Sequence, residues 1–254
     1  MASTSEVGHA KNVANFEDLI SFCAGYGVTY NPSQNAIKIP QLNTLKTNAN
    51  NALTTVVTSN TAFKNATNNR ELVFEPVKKL TTKIMAALKA CGASDLTVDD
   101  ATTINHKIQG KSAKLKTVFG GKGQKLSVDP NNPPVDPEEP KHISTSQQSY
   151  DSMIEHFSKL IDLLASIPAY NPNENELKLT ALNTLLTNMK AANTSVINAY
   201  TTWSNARIVR NDILYKKTVG LVDIALEVKN YVKSIFGAKS PQYKQVSALK
   251  FKRV

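Results

Sequence analysis

This chain has little of what usually announces chemistry. Its two cysteines, Cys23 and Cys91, lie far apart and outside any CxxC or Cys/His spacing, which argues against a redox pair or a zinc site and predicts buried free thiols. His9, His106, His142 and His156 have no His or Cys three or four residues away, so no helical face offers paired metal ligands. Asp99-Asp100 and Glu138-Glu139 are adjacent pairs, which point apart on a helix. No Walker loop, no GxGxxG opening a helix after a strand and no GxSxG is present. Gly120-Gly121-Lys122-Gly123 follows a basic segment and precedes a linker, so it reads as a tail and not as a phosphate loop. No catalytic residue, no metal and no cofactor is expected, and the chain is predicted not to be an enzyme.

Long apolar runs are also missing. None approaches the roughly 20 residues a membrane-spanning helix needs, and Met1 to Phe16 lacks the apolar centre of a secretory signal. The reading is a chain with no membrane span, cytoplasmic by default.

Acid is scarce in two long stretches. The 254 residues carry a formal net charge of +10, and no Asp or Glu occurs between Asp18 and Glu71 or between Glu176 and Asp212. An anionic partner, nucleic acid or acidic glycan, is therefore one reading of the composition. Lysine far outnumbers arginine and no helix-turn-helix, zinc-finger or aromatic RNA-binding signature accompanies the charge, so such binding would be non-specific.

What the chain does have is an internal match. Tyr30-Asn31-Pro32 through Ile37-Lys38-Ile39 returns 140 positions later as Tyr170-Asn171-Pro172 through Leu177-Lys178-Leu179. The match continues through Leu42-Asn43-Thr44-Leu45 against Leu182-Asn183-Thr184-Leu185 and ends near Arg70 and Arg210. Upstream, Phe157, Leu160 and Ile161 reproduce Phe16, Leu19 and Ile20 after a one-residue slip. The pattern predicts an all-α, internally duplicated helical bundle: two copies of a three- to four-helix unit, each with a long second helix.

That second helix is the clearest element. Leu42, Leu45, Ala49, Ala52, Val56, Ser59, Phe63, Ala66, Arg70 and Val73 step by three and four alternately. Leu182, Leu185, Met189, Ala192, Val196, Ala199, Trp203, Ala206, Arg210 and Ile213 keep the same phase, as in left-handed helix packing. Phe63 and Trp203 are assigned to the core on this spacing. Many Asn and Thr residues make these mediocre helix formers, so tertiary packing must hold them. The Tyr-Asn-Pro stretch reads as a shaped connection in which the tyrosine and the apolar residues after it staple the loop down.

Boundaries follow from composition. Residues 1–10 are a polar tail, 11–126 the first helical repeat, 127–142 a linker holding Pro130, Pro133, Pro134, Pro137 and Pro140, and 143–254 the second repeat with a basic C-terminal tail. The first repeat inserts about a dozen residues from Gly92 to Thr102, followed by Ile108-Gln109-Gly110 as an echo of Ile235-Phe236-Gly237, and Thr97 is taken to cap a short fourth helix. Lysine-rich tails are expected from Lys107 to Lys125 and from Lys229 to Arg253.

The functional expectation is a non-enzymatic structural or protein-binding bundle that self-associates or takes a protein partner; the alternative is a non-specific polyanion or nucleic-acid binder. Arg70 and Arg210, charges on the apolar seam, are candidate anion or interface residues, because a buried guanidinium must snorkel out or find a partner. Lys244, Lys250, Lys252 and Arg253 are candidates because the tail contains no acid after Glu227.

Overall fold

Serine hydroxyls start several of the helices. Ser94 accepts from the Thr97 amide ahead of α4 (Asp95–Gln109), Ser149 from the Ser152 amide ahead of α5 (Tyr150–Ala165), and Ser240 from the Tyr243 amide ahead of α8 (Pro241–Ala248). The other helices are α1 (His9–Gly25), α2 (Ile39–Phe74), α3 (Val77–Ala90), α6 (Leu179–Tyr215) and α7 (Leu221–Phe236). The computed structural model of the chain describes residues 8–111 and 148–253, and among them there is no strand. The architecture is an all-α bundle. The linker at 127–142, Gly120 to Gly123, most of the first lysine-rich stretch and residues 1–7 lie outside the described residues.

The long helices have 36 and 37 residues, about 54 Å each at 1.5 Å per residue. Every seam position from Leu42 to Val73 and from Leu182 to Ile213 is buried or half-buried. Threonine side chains satisfy themselves locally: the hydroxyls of Thr47, Thr54, Thr55, Thr61 and Thr67 each donate to the carbonyl four residues back, as do those of Thr184, Thr187, Thr201 and Thr202. These bonds satisfy the hydroxyls without favouring the helix, so packing along the seam must hold a threonine-rich sequence helical.

The two Tyr-Asn-Pro loops share one geometry. Tyr30 is buried and its phenol donates to the Ile37 carbonyl at 2.6 Å; Tyr170 does the same to Leu177 at 3.0 Å. A short 3₁₀ turn, Asn35–Ile37 or Asn175–Leu177, then leads into the long helix. Burial raises both phenols, Tyr170 to about 12, so they remain neutral donors.

The described residues divide into two compact units, and neither coincides with one half of the chain. Unit 1 draws on residues up to Thr67 and from Val196 onward; unit 2 is Asn68–Ser195. The core of unit 1 joins Phe16 and Leu19 of α1 and Leu42 and Ala49 of α2 to Leu214 of α6, Ile224 and Val228 of α7 and Val246 of α8. That of unit 2 joins Phe74, Ile84, Leu88 and Ile108 from α2 to α4 with Phe157, Leu160, Leu182 and Met189 from α5 and α6. Each core is therefore completed by helices from both halves of the sequence.

Several local readings change. His9 and Ala10, placed in the tail by composition, belong to α1. The cap of α4 is Ser94 and not Thr97, because Thr97 supplies the amide that Ser94 accepts. Gly92 follows α3 at φ 80° as Gly237 follows α7 at φ 89°, and the helices that come next differ in length, 15 residues in α4 against 8 in α8. The connection from α6 to α7 is tight: Thr218 is left-handed at φ 68°, and a Cβ on Gly220 would meet the Lys216 backbone at 2.7 Å.

Candidate binding surface on the long helices

Phe63 and Trp203 occupy seam positions but are only half-buried, which corrects their assignment to the core. Their rings stack with centroids 5.5 Å apart and planes 15° from parallel, and Tyr200 stands against both at 5.6 and 6.1 Å. The unit 1 core closes around Ala49 and Leu214, and these rings stand outside it. Arg207 lies 5.2 Å from the centre of the Trp203 ring.

Apolar residues continue outward from this cluster. Ile197, Tyr200 and Ile208 on α6 are each more than half exposed, as is Val57 on α2. Positions 197, 200, 204 and 208 step by three and four, so with Ser204 they share one outward face of α6. The seam reading missed this stripe because it followed the strongest phase; apolar residues one or two positions off that phase were its signal. Lys64, Arg207 and Arg210 are the charged residues in the neighbouring turns, and α6 carries no acid before Asp212.

The two seam arginines find different partners. In unit 2, Arg70 Nη1 donates to the Asn193 amide oxygen at 3.0 Å, and Asn193 Nδ2 donates to the Asp151 carboxylate at 2.7 Å. Its guanidinium lies 3.8 Å from the centre of the Tyr150 ring, while its buried Nε has no hydrogen-bond partner among the described residues. In unit 1, Arg210 Nε and Nη2 both donate to Asn211 Oδ1, at 3.1 and 2.8 Å. Burial lowers its pKa from the ordinary value. Arg70 reaches an acid only through an amide.

The stretch from Lys229 to Arg253 is structured, which corrects its reading as a free basic tail. Lys229 and Lys233 belong to α7, and Lys244 is exposed on α8. Arg253 pairs with Asp223 at 2.6 Å, an acid 30 positions upstream. The Thr218 amide and Arg253 together hold the Asp223 carboxyl below its ordinary range. Lys250 and Lys252 have exposed side chains, but their backbone is bound by α1, as described below.

Other places offer less. An open groove of about 350 Å³ runs beside Pro32, Gln34, Ile37, Glu227 and Tyr231, but Gln34 and Glu227 already satisfy one another at 2.8 Å. Cys23 is buried and its thiol pushed up to about 12 by burial. Among the described residues no cluster of three or more His, Cys, Asp or Glu is placed to hold a metal ion, and no helix is long and apolar enough to cross a membrane.

Comparison with family models, curated proteins and solved structures returns no match.

Proposed function

We propose that this protein is a non-catalytic protein-binding module that takes its partner on the outward face of α6 beside the Phe63–Trp203 stack. The observation that carries this reading is the exposure of Ile197, Tyr200 and Ile208 on one face, continuous with a half-buried aromatic cluster. Grouped exposed apolar side chains are a cost in water unless something covers them, and aromatic anchors with arginine at the margin are the usual content of an interface centre. Lys64, Arg207 and Arg210 border the face without an acid between Glu176 and Asp212, so a partner helix with an acidic rim complements it. A second copy would set like charges opposite one another.

The test is binding of amphipathic helical peptides that share one apolar face and carry either Glu or Lys on the flanks. Acid-flanked peptides should bind, and Tyr200→Lys or Ile197→Lys should weaken them about tenfold. Equal binding of both peptide sets, or indifference to the substitutions, would count against the reading. Sedimentation that shows concentration-dependent self-association through Ile197 and Ile208 would favour a second copy over an acidic partner.

A second reading, polyanion binding, is favoured by the acid-free stretches 19–70 and 177–211. It requires that affinity for single-stranded or duplex DNA fall steeply with salt, by a log-log slope of about 0.9 per phosphate contacted on duplex.

A further inference from the structure

Two asparagines lie on the buried face of α1. Asn12 and Asn15 are 3% and 6% exposed, among Val13, Phe16 and Leu19. In α5, aligned through Phe16 and Phe157, the same positions hold Met153 and His156. Burying a carboxamide in apolar surroundings is unfavourable unless its donor and acceptor are both matched, so these two residues call for partners.

Their partner is the extended segment at 249–253. Asn12 Oδ1 accepts the Lys252 amide at 3.0 Å and its Nδ2 donates to the Lys252 carbonyl at 2.7 Å, so one side chain reads both polar groups of a single residue. Asn15 Nδ2 donates to the Lys250 carbonyl at 2.7 Å, and Lys229 Nζ donates to the Leu249 carbonyl. Lys250 and Lys252 turn their side chains to solvent. Phe251 between them is half-buried against the unit 1 core, with Lys229 Nζ 4.9 Å from its ring centre, and Leu249 is half-buried too. Arg253 closes the far end, donating to the Tyr215 carbonyl and pairing with Asp223 at 2.6 Å.

This is recognition of a peptide by its main chain, with side-chain selection at three alternate positions: apolar at 249, aromatic at 251, arginine at 253. The alternation follows from the two-residue period of extended chain. In unit 2, α4 is nearly twice as long as α8 and carries the buried Ile108 at its end; on α5 the asparagines are replaced. The buried amides occur on α1, which meets the extended segment, and not at the aligned positions of α5.

We propose that the groove formed by α1, α7 and the end of α6 is a peptide-docking site that accepts, in trans, an extended segment of a protein partner with the pattern apolar-x-aromatic-x-arginine, residues 249–253 being its tethered occupant. The site is separate from the outward face of α6 and does not rest on that reading. A tethered occupant acts at a millimolar effective concentration, so it keeps the groove closed to weak ligands and yields only to a partner that binds better.

The experiment uses the full chain carrying Phe251→Ser and Arg253→Ser, which loosens the segment and leaves Asn12, Asn15, Asp223 and Lys229 in place. The probe is a fluorescein-labelled, amidated pentapeptide of residues 249–253, followed by anisotropy. It should bind the loosened chain about tenfold more tightly than the native chain. Adding Asn12→Ala should remove about tenfold, and so should replacing the peptide's phenylalanine, whereas replacing its two lysines with glutamine should change affinity by less than about twofold. A loosened chain with a native circular-dichroism spectrum that fails to bind, or binding that follows the lysines instead, would overturn the proposal. A loosened chain that does not fold leaves a second measurement on the native protein. Millimolar pentapeptide should speed amide hydrogen exchange at Lys252, and unchanged protection there would equally reject exchange of the segment.

Discussion

The guanidinium of Arg70 lies 3.8 Å from the centre of the Tyr150 ring and is tied to Asp151 only through Asn193. A ring face and an amide stabilise a half-buried cation less than a direct carboxylate does, and they also fix the start of α5 against the end of α2. Arg70→Met should therefore lower stability by about 2–4 kcal/mol, about 1.5–3 for one charged hydrogen bond plus about 0.5–1 for a partly solvated cation–π contact. A double-mutant cycle with Asn193→Ala should show coupling of about 1 kcal/mol. Additive effects in urea unfolding would mean that the amide does not transmit the pairing. Arg210, whose hydrogen bonds go to its neighbour Asn211, should tolerate methionine better, contrary to what its matching seam position suggests.

The buried phenols of Tyr30 and Tyr170 give a second prediction. Each satisfies the carbonyl of the residue that ends the 3₁₀ turn two positions ahead of the long helix, so Tyr30→Phe and Tyr170→Phe should each cost about 1–2 kcal/mol through a carbonyl left unpaired. The alkaline limit follows from the same groups. Both pKa values are raised by burial above 10, so their contribution is complete below pH 10 and is lost as pH climbs toward the folded value, about 12 for Tyr170. The Phe variants should flatten the fall in urea midpoint above pH 10, and an unchanged alkaline slope would show that other groups set it.

A third prediction concerns the two halves. Because Phe16 and Leu19 pack with Ile224 and Val228, and Ile84 and Leu88 with Phe157 and Leu160, residues 1–126 or 143–254 expressed alone lack part of both cores. Each should show reduced helicity and no cooperative melt, and mixing the two should restore both. A cooperative melt from either half alone would show that its helices form a core of their own.

Much of this arrangement is legible in sequence, and the remainder has a physical reason for being hidden. Heptad spacing finds the buried face of α2 and α6 because burial has a period, yet it does not say what covers that face, so Phe63 and Trp203 read as core while standing at its margin. The Tyr-Asn-Pro match marks a stapled loop because tyrosine, proline and the apolar residue seven positions on act within one short segment. In sequence alone nothing distinguishes Asn12 and Asn15 from other polar residues of α1, because their partners lie 235 to 240 residues away. The pairing of Arg253 with Asp223 escaped for the same reason, since charge runs are counted along the chain and ion pairs form across it.

The last prediction turns on His156, at the position where α1 has Asn15. It is 6% exposed, and its Nε2 has no hydrogen-bond partner among the described residues. Burial lowers its pKa from 6.5; Lys107 on α4 and Lys159 on its own helix push the same way, and Glu155 opposes them. The neutral ring is thus the folded form, while the unfolded chain takes up the proton near pH 6.5. Stability from this group is complete above that value and declines as pH falls through 6.5 toward the folded pKa. Burial and Arg210 lower His9 as well, so the two histidines add in one window. The urea midpoint should drop between pH 7.5 and 5, and His156→Leu should reduce that drop while leaving the part due to His9. Glu155, held below its ordinary range by Lys159, adds acid sensitivity only below about 4.5, outside the window. A His156→Leu variant with the same loss between pH 7.5 and 5 as the native chain would show that the ring already finds an acceptor when it takes up a proton.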